Sequence, residues 1–202
     1  MHSQKFSYIF GSLPSRIGTA CSKMEVVSNF EGGLVIMRTH TSPSIVKLAA
    51  VGAVAGLVSG LVKLGWENIL PPRTPERDAT NPPQTFLQQH GLTPAETHAT
   101  YTYSGHQVPW VSLLVHFGFS SSLGALYAVA GHYVPLFKLG YGSMWGLGVW
   151  AGAHLWAMPA LNIVPDAKDQ PVEEHLSEAV GHMVWNTVNQ IVISDMLREK
   201  HD

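Results

Sequence analysis

Two long stretches without a single Asp, Glu, Lys or Arg constrain this chain more than any other feature. One lies between Glu96 and Lys138, the other between Lys138 and Asp166. Charged residues make up 13% of the chain, about half the share usual in soluble domains. A bilayer interior explains the scarcity, because a charge at mid-depth is costly. Four apolar segments follow from the pattern, at about Ile45–Trp66, Pro109–Val134, Leu139–Leu161 and Val172–Leu197. Each holds about twenty residues, enough to cross a hydrocarbon core of about 30 Å as a helix. The expected fold is all-α: a polytopic membrane protein with four transmembrane helices in a bundle over residues 45–200. A polar N-terminal tail, residues 1–44, precedes it, and a polar loop spans about 67–108.

Pro71 and Pro72 cannot continue the first helix and open that loop. Within it, Thr85 to His90 suits a short surface helix. Trp66, Trp110 and Trp156 fall near one membrane interface, and Tyr133, Phe137 and Tyr141 near the other, as in an aromatic belt. Lys5, Arg16, Lys23, Arg38, Lys47, Lys138, Arg198 and Lys200 lie on one side; Arg73, Arg77 and Lys168 lie on the other among acidic residues. The positive-inside rule therefore places both termini in the cytoplasm and the 67–108 loop outside. Phe6 to Leu13 is too short and polar for a signal peptide. Met37 is an alternative start, since Glu31-Gly32-Gly33 can be encoded by a purine-rich ribosome-binding sequence. N-terminal mass spectrometry of the native protein distinguishes the two starts.

Gly52, Gly56 and Gly60 recur every four residues and share one face of the first segment, extended by Ala49 and Ala53. Such a strip lets helix backbones approach closely in lipid, within the bundle or between subunits. The last segment carries Glu174, Glu178, His182, Asn186 and Asn189 on one face. Ionisable groups at that depth turn toward a bundle interior or a water-filled cavity. In the same topology Lys63, Glu67, His116 and His154 reach a similar level from the other three helices. Glu178, His182, His116, His154, Glu67 and Lys63 are thus the candidate polar cluster. Arg73, directly after two prolines, is assigned to the outer interface, capping the helix or touching lipid phosphate.

The segment Ala55-Gly56-Leu57-Val58-Ser59-Gly60-Leu61-Val62-Lys63, with Trp66-Glu67, Pro71-Pro72-Arg73 and Pro75, resembles the start of the YagU-like family of bacterial inner-membrane proteins. Glu174-His175-Leu176-Ser177-Glu178, Gly181-His182 and Val184-Trp185 are similar to that family's last helix, which ends here in Asp195-Met196-Leu197-Arg198. Tyr103, Gly105-His106 and Trp110 fit its middle. The likeness covers about residues 45–200; residues 1–36 have no counterpart in it. It implies a multi-span protein of the bacterial inner membrane, linked to tolerance of acid, and it implies no catalytic or ligand residues.

The residues leave several readings of the cluster open. One is a structural polar core, with Lys63–Glu67 and Glu178–His182 pairs holding helices together. A second is a proton-responsive or ion-conducting site: histidine titrates near neutral pH and burial raises a glutamate toward that range. Protonating the carboxylate would then weaken the pair and favour a second arrangement. A third is a metal site of His116, His154, His182 and Glu178, although no compact ligand motif is present. An enzyme has least support, because no nucleophile triad, phosphate-binding glycine loop or paired-carboxylate motif occurs. A formal net charge of −2 and the absence of a basic patch argue against nucleic acid. Cys21 is the only cysteine, so neither an intrachain disulfide nor a paired-cysteine metal site can form. The expectation is a non-enzymatic inner-membrane protein that helps withstand acidic pH, without a cofactor. Its expected partners are the lipid bilayer and further copies of itself.

Overall fold

The computed structural model describes residues 22–28 and 35–198, and the chain divides into two units, Met1–Lys47 and Leu48–Asp202. In the first, β1 (Ser22–Ser28) pairs antiparallel with β2 (Val35–Thr41), Ser22 opposite Thr41 and Ser28 opposite Val35. The sequence reading left this stretch as a tail without regular structure. The signal-peptide question at Phe6–Leu13, Cys21, Glu31–Gly33 and Lys200 lie outside the described residues.

The rest is mostly helical. The elements are α1 (Ile45–Ile69), α2 (Pro82–Gln89), α3 (Pro94–Thr97), α4 (Trp110–Tyr133), α5 (Ser143–Trp150), α6 (Met158–Ala160) and α7 (Val172–Met196). A small hairpin, β3 (Tyr101–Tyr103) with β4 (His106–Val108), precedes α4. Two of the helices, α1 and α4, are long and apolar enough to cross a membrane. Their burial is inverted relative to a soluble protein. α1 turns Gly52, Ala55, Gly56, Ser59, Gly60 and Lys63 inward, while Val54, Leu57, Val58 and Leu61 are exposed. α7 buries Glu174, Glu178, Asn186 and Asn189, and exposes Leu176, Val180 and Ile191. Polar groups inside and aliphatic groups outside suit a lipid surround.

The glycine face of α1 packs on α4. A methyl group on Gly52 would stand 2.6 Å from Ala128 Cβ, and one on Gly56 2.8 Å from Ser121 Cα. Ser120 Oγ donates to the Gly56 carbonyl (2.6 Å) and Ser121 Oγ to that of Ala53 (3.2 Å). Serines thus tie together two backbones that glycine brings close.

Between α5 and α6 the helix continues as a π-helix, Ala151–Ala157. Pro159 gives a physical reason. It lacks an N–H, and in an α-helix its ring would strike the carbonyl four residues back, that of Leu155. A widened turn relieves that collision. The third segment read from the sequence as about Leu139–Leu161 is therefore α5, a π-helix and α6 in succession, entered by a 3-10 turn at Pro135–Lys138.

The connecting loop is more structured than one short helix. Asn81 caps α2, its Oδ1 accepting from the Gln84 N–H (3.1 Å) while Gln84 Oε1 accepts from the Asn81 N–H (2.9 Å). Thr93 and Glu96 repeat the device at α3 (2.7 and 3.3 Å). The Thr93 N–H, and then its hydroxyl, hold the Glu96 carboxyl below the usual carboxylate range. A depressed folded-state value stabilises the turn above the ordinary glutamate pKa of about 4.3 and loses that stabilisation as pH falls through the folded value. Amide exchange at residues 96–98, compared with that of E96Q, should show a protection in the wild type that vanishes in strong acid. A variant with equal protection at neutral pH would count against the cap.

Candidate functional site

The charges of α1, the following loop and α7 meet in one buried network. α1 sends Lys63 inward; its ammonium donates to Glu67 one turn on and to Glu178 Oε2 (3.0 Å). The loop after Pro71-Pro72 turns Arg73 back toward α7. Its Nη2 meets Glu178 Oε1 (3.0 Å), its Nε meets Glu174 Oε1 (3.0 Å), and its Nη1 lies 3.7 Å from Asp78 Oδ1. Arg77 holds the other oxygen of Glu174 through Nε and Nη2 (3.1 and 2.9 Å). Both oxygens of both glutamates are therefore paired. Lys63, Arg73 and Arg77 balance Glu67, Glu174 and Glu178, with Asp78 half-exposed at the rim. Buried charge is tolerated only when paired in this way.

Two glycines admit the network. A methyl on Gly181 would lie 2.9 Å from Trp66 Cδ1 and 3.6 Å from Lys63 Nζ. Trp66 Nε1 can consequently donate to the Ser177 carbonyl (3.0 Å), and Ser177 Oγ donates to that of Leu70 (2.8 Å). A methyl on Gly146 would stand 2.8 Å from the His182 carbonyl carbon, which fixes the close approach of α5 to α7. Beside Glu178 lie two imidazoles. His182 Nδ1 is 2.8 Å from the Glu178 backbone oxygen and 3.6 Å from Oε2. His154 Nε2 is 3.8 Å from Oε2, longer than a hydrogen bond. The two rings meet edge to face with centroids 4.9 Å apart. His154, Glu178 and His182 each offer one ligand atom within 4.8 Å of the others.

One turn further along α7, Asn186 donates to the Gly142 carbonyl (2.8 Å) and Asn189 to Asn186 Oδ1 (3.1 Å). Gly142 has φ +83°, and a methyl there would stand 2.6 Å from the Tyr127 hydroxyl. Both conditions call for glycine. A cleft of about 260 Å³, lined by Arg73, Arg77, Thr80, Pro82, Ile163, Val164, Pro165 and Glu174, reaches the network from the loop side.

Of the residues singled out from the sequence, Glu178, His182, His154, Glu67 and Lys63 come together. His116 does not: its Nε2 bonds the Gly60 carbonyl (3.0 Å) on the α1–α4 side. Arg73 is also corrected. It is turned inward, 11% exposed at the side chain, rather than toward lipid phosphate. Arg73 and Arg77 were thus the members that sequence reasoning left in the loop. The signal for them was arithmetic: two inward glutamates on α7 exceed what Lys63 alone can neutralise.

Comparison with known proteins agrees with the inverted burial. Residues 57–191 match the family described as "Protein of unknown function (DUF1440)". The chain is 32% identical over 171 residues to the inner membrane protein YagU of Escherichia coli (strain K12), covering 73% of this chain and 83% of that protein. No solved structure matches the chain.

Proposed function

Since the chain belongs to the DUF1440 family, we propose that it is a bacterial inner-membrane protein with four spans and both termini in the cytoplasm, and that it contributes to tolerance of acidic pH without being an enzyme. The spans would be α1, α4, the helical run from α5 to α6, and α7. In that topology the charge network closes the outer end of the bundle, facing the compartment that follows external pH.

The observation that supports the reading is the position of Asp78. It competes for Arg73 from the exposed side of a clamp whose other jaws, Glu174 and Glu178, are buried. Partial burial, reinforced by Glu67, Glu178 and Glu174 and opposed by Arg73, holds its carboxyl above the usual range. A raised folded-state value means that the folded protein takes up this proton more readily than the unfolded chain. Its contribution to stability therefore grows as pH falls from above the raised value toward the ordinary aspartate pKa of about 4. Protonated Asp78 leaves Arg73 wholly to Glu174 and Glu178, so mild acid tightens the clamp.

Thermal unfolding of the purified protein in detergent, followed from about pH 7 to about pH 4, tests this. The wild type should gain a stabilising increment in mild acid that D78N lacks, and cells expressing the wild type should survive an acid challenge better than those expressing D78N. The same pH slope in both proteins would sink the proposal. A purely structural role for the network is favoured by its charge balance, and an unchanged acid survival of D78N cells would support that role instead.

A further inference from the structure

We propose that His154, Glu178 and His182 form a site for one divalent transition-metal ion, zinc fitting best, and that the ion and the Lys63 ammonium exchange for the Glu178 carboxylate. The reasoning begins with the histidines. His182 is anchored through Nδ1 to the Glu178 carbonyl at 2.8 Å. That bond fixes the tautomer and leaves the Nε2 lone pair free, which is how a ligating imidazole is usually oriented. His154 is buried at 7% exposure, yet its Nε2 stands 3.8 Å from the nearest carboxylate oxygen, Glu178 Oε2. A core histidine serving only as filler would be expected to complete a hydrogen bond. It is carried there by the π-helix Ala151–Ala157, and short π segments recur at functional sites.

Donor chemistry and spacing agree. Two imidazole nitrogens and one carboxylate oxygen suit zinc or ferrous iron and disfavour magnesium and calcium, which take oxygen. The three ligand atoms lie within 4.8 Å of one another. Tetrahedral zinc, with bonds of about 2.0–2.1 Å, needs them about 3.4 Å apart. Side-chain rotation by about an ångström closes the set, with water as the fourth ligand.

Lys63 is the competitor. Its ammonium lies on the same oxygen, Oε2, that faces both histidines. It has a second partner in Glu67 and can keep that one while releasing Glu178. Because the network is already charge-balanced, a dication enters most readily where Lys63 has withdrawn or is absent.

The test uses the full-length protein in detergent, stripped with a chelator. Zinc is titrated by calorimetry, and cobalt(II) alone serves as a visible-absorption probe. The expected result is one zinc ion per chain and a tetrahedral cobalt spectrum. H154Q and H182Q should each lower affinity by at least about tenfold. H116Q, altered at a histidine outside the site, should bind as the wild type does. K63M should bind about tenfold more tightly or better, since it removes a neighbouring positive charge. Unchanged affinity in both histidine variants overturns the site. Should either fail to fold, K63M decides: tighter binding supports the exchange, and equal or weaker binding overturns it.

Discussion

Replacing Glu178 with glutamine should cost about 3–5 kcal/mol of stability, the range for leaving buried charges without their partner. Few substitutions in a chain of this kind reach that size. Glutamine keeps the shape of the side chain but withdraws the charge shared by Lys63 and Arg73. Lys63 would keep only Glu67, and Arg73 only Glu174 and the more distant Asp78. The double variant K63M/E178Q should recover part of the loss, because it removes one cation along with one anion. Thermal midpoints and the monodisperse fraction after detergent extraction measure both. A single variant within about 1 kcal/mol of the wild type would mean that water already reaches the pair.

The second large effect is expected at Gly56. Even alanine there sets a methyl 2.8 Å from Ser121 Cα and 2.9 Å from the Ser120 carbonyl carbon. Those are backbone atoms and cannot rotate away, so α1 and α4 must part along their length. Parting them also lengthens the Ser120 Oγ bond to the Gly56 carbonyl. A cost of about 3 kcal/mol is expected, the upper part of the overpacking range. Gly65→Ala is the matched control. Nothing lies within 4 Å of a methyl at that position, so the change should be neutral or stabilise by up to about 1 kcal/mol through helix propensity. Similar losses at both positions would show that backbone freedom, rather than close approach, sets the role of these glycines.

Much of this was legible before any coordinates. The charge-free stretches set the places of α1 and α4 to within a few residues, because the cost of burying charge in lipid acts on sequence directly. Gly52, Gly56 and Gly60 announced a packing face through their spacing. The inward row of α7 was visible for the same reason. Depth along a helix is readable from residue number, but direction around the bundle is not. That is why His116 and His154 looked equivalent, although only His154 reaches Glu178. The fate of Arg73 and Arg77 depends on a loop that folds back over the helix ends, which no periodicity encodes. The pairing of Ser22–Ser28 with Val35–Thr41, and of Tyr101–Tyr103 with His106–Val108, depended on strand contacts too short to leave a clear alternation.

The π-helix also bears on how this protein can vary. A π turn is in effect a helix holding one residue more than α geometry requires. Deleting a single residue between Ala151 and Ala153 would let the segment relax to an α-helix, and His154 would swing about 100° around the axis away from Glu178. An insertion after Trp150 would rotate it the other way. Substitutions on the outer face of this stretch should pass unnoticed, whereas a change in its length should not. In this segment the number of residues, as much as their identity, is what inheritance has to preserve.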